Sequence, residues 1–135
     1  MSEQECYGCS KKNSCPVEAA MHVQRHAAGM KFDWADIEGV LDKVKEEVAE
    51  ISEAVREGDM DHARNELGDL LFAAFNVARF LDADPLECLC NATQRFEQRF
   101  ECMVKMVVGE GRALESCSAE SLDAYWERVK KLMAQ

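Results

Sequence analysis

Four carboxylates have the types and spacing to act together: Glu47 with Glu50, and Glu66 with Asp69. Each pair is separated by three residues, one turn of helix, so its members share a flank. Lys43 stands one turn before Glu47 on the same flank. A donor set of carboxylate oxygens, without His or Cys, suits magnesium or manganese better than zinc or copper. A di-iron bundle would normally carry Glu-x-x-His, and His62 falls outside that pattern. Spacing alone leaves a second reading open, in which these acids are ordinary solvated helix residues.

The elements that would hold them are helical. Ile37, Leu41, Val44, Val48, Ile51 and Val55 recur at spacings of four and three, a heptad stripe that excludes a strand. Asp33 followed by Asp36 marks the start of this helix, as an N-cap with an acid in the first turn. Gly58 and Asp59 then supply a helix stop and a new N-cap with almost nothing between. The following helix carries Ala63, Leu67, Leu70, Leu71, Ala74, Val77, Ala78 and Leu81. Between Leu70 and Leu81 only Asn76 and Arg79 are polar, so burial on most sides is expected. Asp84-Pro85 opens a helix running to about Val108, with Leu86, Leu89, Phe96, Phe100, Met103, Val104 and Val107 as its apolar face. A weaker helix from about Val17 to Ala28, stopped near Gly29, precedes these. A loop from Gly109 to Ser118 leads to a last helix from about Ala119 to Met133. The expected fold is an all-α antiparallel helical bundle with short connections.

On a helical wheel Glu46 and Glu53 fall opposite the apolar stripe, while Glu47, Glu50 and Lys43 lie along its edge. At about 1.5 Å per residue, Glu50 and Glu66 lie about 12 and 10 Å from the Gly58 turn. Antiparallel packing therefore sets Glu50 level with Glu66, and Glu47 level with Asp69. Four unpaired carboxylates there would repel one another and force some to hold protons, a conflict that a cation would relieve.

Composition narrows the classes. With 135 residues, 47% of them hydrophobic, the chain has material for one modest core. A formal charge of -10 argues against nucleic acid as a partner, since phosphate backbones are bound by clustered cations. No stretch is apolar enough for a membrane span, and Met1 to Glu5 lack the character of a secretion signal, so a cytoplasmic location is expected. The odd count of seven cysteines favours reduced thiols over a disulfide framework. A third helix so apolar also calls for cover from a second copy, giving a homodimer or homotetramer.

Residues quoted in order carry a resemblance to a known family: Phe32-Asp33-Trp34, Lys43-Val44-Lys45-Glu46-Glu47-Val48-Ala49-Glu50 and Glu66-Leu67-Gly68-Asp69-Leu70-Leu71-Phe72-Ala73. It continues through Asn76 to Leu81, Arg95 to Phe100 and Leu122 to Lys130. Together these motifs resemble the MazG family of nucleoside triphosphate pyrophosphohydrolases over roughly residues 20 to 132. The resemblance implies an all-α, oligomeric enzyme that hydrolyses nucleoside triphosphates to monophosphate and pyrophosphate. It implies magnesium, with manganese possible, on Glu47, Glu50, Glu66 and Asp69, and Glu50 or Glu47 as acceptor of the attacking water's proton. Arg95 and Arg99, one turn apart, and Trp126 and Lys130, also one turn apart, match positions that contact phosphate or nucleotide. Arg95 and Arg99 could instead pair with Glu97 or Glu101, Trp126 could be core, and Lys43 could be a salt-bridge partner or a phosphate ligand. Thr93 stands where the family usually has Asn, and Arg95 where it often has Lys.

Two segments organise the chain: a cysteine-bearing arm over 1–16 and a helical catalytic domain over 17–135. Cys6-x-x-Cys9 with Cys15-Pro16 suggests an incomplete metal or iron–sulfur set, completed by His22 or a second chain, or else a redox motif. Cys88, Cys90, Cys102 and Cys117 read as buried or incidental thiols. Two other functions stay open beside nucleotide-pool sanitation or housekeeping. One is a phosphohydrolase specialised for a single deoxynucleotide such as dUTP. The other is a non-catalytic helical module that binds metal or a partner, with the arm sensing redox state.

Overall fold

In the computed structural model residues 15–134 are described, and they are all-α, with no strand among the described residues. The helices are α1 (Pro16–Gly29), α2 (Ile37–Glu57), α3 (Met60–Phe80), α4 (Pro85–Gly109) and α5 (Ala119–Met133), with a 3-10 turn at Leu114–Ser116. No helix among the described residues is long and apolar enough to cross a membrane. The chain divides into two units, one ending at Leu86 and the other beginning at Glu87.

The first unit is built on the hairpin of α2 and α3. Gly58 ends α2 in the left-handed conformation, at φ 75°. Its N–H reaches the Val55 carbonyl at 3.1 Å, and the Asp59 N–H reaches Ala54 at 2.9 Å, the paired bonds of a Schellman ending. Asp59 then caps α3, its carboxylate accepting from the His62 N–H at 3.0 Å. The hairpin is thus closed by local chemistry at the expected position. α1 lies on α3, where the buried Gln24 donates through Nε2 to the Phe72 carbonyl at 2.8 Å.

One local expectation is corrected. Asp36, not Asp33, caps α2, accepting from the Gly39 N–H at 3.1 Å. Asp33 instead turns to Arg79, which reaches it with both guanidinium nitrogens at 2.8 and 2.7 Å. α1 ends at Gly29, as expected, and the chain turns at Lys31, which takes the left-handed conformation at φ 65°. The Lys31 and Phe32 N–H groups close that ending on Ala28 and Ala27.

The most buried face of α2 lies beside its apolar stripe, whose Ile37, Leu41, Val44 and Ile51 are half-buried. Val40, Glu47 and Ala54 are buried, whereas Val48 and Val55 remain about half exposed. At 3.6 residues per turn, the packed face is rotated by roughly 80° from the stripe axis. α3 likewise fails the expectation of burial on most sides: Ala73, Asn76 and Ala78 are buried, but Leu67 and Leu71 are 50% and 52% exposed. Periodicity gives the face that would prefer cover, and the hairpin turn decides which face meets the neighbour.

In the second unit Met103 and Val107 of α4 pack with Tyr125 and Val129 of α5. Ser118 caps α5 by accepting from the Ser121 N–H. The first half of α4's apolar face is not covered, with Leu89 and Phe96 more than half exposed. Of the two readings for the later cysteines, buried or incidental, Cys88 and Cys90 take the second, being exposed, while Cys102 and Cys117 are half-buried beside the core.

Candidate active site

The rotated face of α2 carries Glu47 into the hairpin interior, where it meets Glu66 of α3; they are 3% and 9% exposed. Burying an acid is costly unless it is paired, and the sequence supplies a partner one turn earlier. Lys43 Nζ lies 2.8 Å from Glu47 Oε1 and 3.2 Å from Glu46 Oε1. Oxygens of Glu47, Glu66 and Asp69 come within 4.8 Å of one another, and Glu46, Glu47 and Glu50 form a second such group sharing Glu47. All four expected carboxylates therefore belong to one patch. Glu46, which the wheel assigned to solvent, joins its rim because the packed face of α2 is rotated toward it.

The charges in this patch are not balanced by the protein. Hydrogen bonds and repulsion from Glu47 and Glu50 push the Glu66 carboxyl up to about 7. The Lys43 ammonium holds Glu47 below the usual range despite its burial, and Lys43 is raised in turn by Glu47. Glu66 is thus the acid of the pair that takes up a proton first, while Glu47 keeps its charge. Glu47 Oε2 and Glu66 Oε2 are buried without a hydrogen-bond partner among the described residues. His62 Nε2 stands 3.5 Å from Glu66 Oε1, at the edge of the group. Two orphaned acceptors, crowded acids and an all-oxygen donor set fit a hard divalent cation.

A cavity of about 310 Å³ opens on the patch, lined by Trp34, Lys43, Glu47, Asp69, Phe72 and Asn76, with Ala73 between. Trp34 lies directly over Gly39: a Cβ at that position would stand 2.9 Å from the indole Cδ1. At the other end, the buried Asn76 accepts through Oδ1 from Arg79, at 3.3 Å from Nε and 2.9 Å from Nη2. Asn76 and Arg79 had a signal in the sequence, as the two polar residues of an otherwise apolar run. The partnership of Arg79 with Asp33, 46 residues away, had none. A larger cavity of about 560 Å³ lies around Arg25, Arg79 and Asp84, away from the carboxylates.

The remaining candidates lie in the second unit. Arg95 and Arg99 are exposed on α4 and form no ion pair among the described residues, so the alternative pairing with Glu97 or Glu101 is not seen. Trp126 packs against Phe96 at 5.4 Å between ring centroids, and Lys130 pairs with Glu127 at 2.7 Å. Cys6 and Cys9 of the arm lie outside the described residues. Cys15 is a free, half-buried thiol at the start of α1 and does not cap it.

Residues 36–100 match the family model of the MazG nucleotide pyrophosphohydrolase domain. Over 114 residues, 84% of this chain, the sequence is 40% identical to the nucleoside triphosphate pyrophosphohydrolase/pyrophosphatase MazG of Thermotoga maritima, covering 44% of that protein. It is 34% identical to the nucleoside triphosphate pyrophosphohydrolase of Escherichia coli K12, over 83% of this chain and 43% of the relative. An uncharacterized protein of Bacillus subtilis, YabN, is 36% identical over 59% of this chain and 16% of its own length. The chain spans less than half the length of these relatives.

Proposed function

Because residues 36–100 carry a MazG-family domain, we propose that this chain cleaves nucleoside triphosphates between the α- and β-phosphates, giving monophosphate and pyrophosphate. The observation that carries the reading is the unbalanced carboxylate patch with its two orphaned, buried oxygens. Glu47, Glu50, Glu66 and Asp69 would hold magnesium, or manganese in its place. Bound there, the ion would neutralise carboxylate and polyphosphate charge and lower the pKa of a coordinated water.

The chain's own groups do the rest. Glu50 or Glu47 accepts the proton of the attacking water. Lys43, already bonded to Glu46 and Glu47, keeps Glu47 ionised and fixed in place. Arg95, Arg99 and Lys130 supply cations for phosphate oxygens, arginine's planar fork being suited to two at once. Trp126, braced by Phe96, presents a wall to the nucleotide. The exposed ridge of Leu67 and Leu71 on α3 supports a homodimer or homotetramer. We place the reaction in the cytoplasm, in keeping with the free cysteines among the described residues.

The test is pyrophosphate and monophosphate release from a panel of ribo- and deoxynucleoside triphosphates, with magnesium and with chelator. Metal-dependent release of both products supports the proposal. No release from a folded, magnesium-binding protein would overturn it and leave a non-catalytic module.

A further inference from the structure

Asn76 is 3% exposed, lines the cavity beside the carboxylates, and has its orientation dictated by a neighbour. A guanidinium offers only donors, so the end of the Asn76 amide that faces Arg79 has to be its oxygen. Arg79 is itself held by two bonds to Asp33, a geometry that arginine's fork makes rigid. Oδ1 is thereby taken, and the –NH2 group, without a partner among the described residues, is the polar end left to the cavity. Lys43, the cation on the lining, is committed to Glu46 and Glu47. The cavity thus has an acidic end at Glu47 and Asp69 and, two helical turns or about 10 Å along α3, a donor-only end at Asn76. The aromatic rings of Trp34 and Phe72 also line the cavity, and Trp34 is seated on Gly39.

We propose that this donor-only end receives the nucleobase of the substrate and selects bases with a carbonyl at pyrimidine C4 or purine C6, uracil and guanine, over those with an amine at that position, cytosine and adenine. The inference rests on the nucleotide reading above and names the substrate class within it. Planar aromatic faces suit a stacked base. An amide N–H pairs with the exocyclic oxygen of uracil but meets a second donor in cytosine, leaving a buried polar group unpaired. Asp33, Arg79 and Gly39 are positioning residues: the first two orient the amide and the third seats the indole.

Uracil and cytosine share size and shape and differ only at C4 and in the N3 proton that goes with it, which makes them the cleanest pair to compare. Binding of the α,β-imido analogues of UTP and CTP, measured by calorimetry with magnesium, should favour the uridine compound by about tenfold or more. Asn76→Asp offers the cavity an acceptor in place of a donor and should reverse the order. Asp33→Asn should narrow the ratio without altering any residue on the cavity, which keeps the test available if Asn76→Asp does not fold. Equal binding of the two analogues by the wild-type chain, or a preference set only by the 2′-hydroxyl, would overturn base selection even where hydrolysis is established. A clear uridine preference without pyrophosphate release would support base selection and count against hydrolysis instead.

Discussion

The carboxylate patch is a case where function and stability pull on the same side chains. Glu47, Glu50 and Glu66 repel one another at the hairpin, and Lys43 is the ammonium that offsets them. Replacing Glu47 or Asp69 by the matching amide should lower turnover at least about a hundredfold with helix content unchanged, read by pyrophosphate release and circular dichroism. Either variant keeping most of its activity would remove it from the metal set. Glu66→Gln should raise the melting temperature of the metal-free protein by relieving repulsion, yet gain less than the wild type when magnesium is added. The Asp33–Arg79 pair gives a pH signature of its own. Hydrogen bonding from Arg79 holds Asp33 below its ordinary value, so the unfolded chain takes up that proton first as pH falls. The pair's stabilisation is full above about pH 4 and is lost as pH drops through the lower folded value. Acid unfolding of Asp33→Asn should therefore begin from a lower stability and lack that increment.

At the scale of elements, the helix endings carry a stability that can be improved. Gly58 and Gly111 take the left-handed conformation at φ 75°, where glycine is unstrained. Lys31 and Asp82 occupy it at φ 65° and 51°, closing α1 and α3 with the same bond pattern. Lys31→Gly should stabilise the first unit by about 1 kcal/mol in chemical denaturation, and Gly58→Ala should cost about as much. Gly39 has a different constraint, because the added methyl of alanine would push the Trp34 ring out of its seat. Helix signals were legible from the sequence where a cap used the usual chemistry, as at Asp59 and Asp84-Pro85. They were not legible at Lys31, because a left-handed lysine is imposed by the chain's path toward Trp34 and leaves no mark in residue type.

For the molecule as a whole, the uncovered apolar ridges are the main open account. Val48 and Val55 of α2 and Leu67 and Leu71 of α3 are each about half exposed, at the heptad spacings that favour helix-to-helix packing. We expect a homodimer or homotetramer at micromolar concentration by light scattering, shifted toward monomer by Leu67→Glu combined with Leu71→Glu. A wild-type monomer at that concentration would count against the assembly. The formal charge of -10 adds to the need for a cation before a polyphosphate can approach the patch.

What residue order determined by itself is the set of helices, the closure of the hairpin at Gly58-Asp59 and the gathering of Glu47, Glu50, Glu66 and Asp69. All of these follow from short-range spacing: 3.6 residues per turn, caps within four residues and a hairpin register counted from one turn. The tertiary structure alone decided which face of α2 packs, and so drew Glu47 inward and Glu46 to the rim while leaving Val48 and Val55 uncovered. It alone joined Asp33 to Arg79 and so turned the Asn76 amide. Periodicity specifies which residues lie together on a face, but not which neighbour that face meets. A side chain's orientation is set by partners that sequence distance conceals.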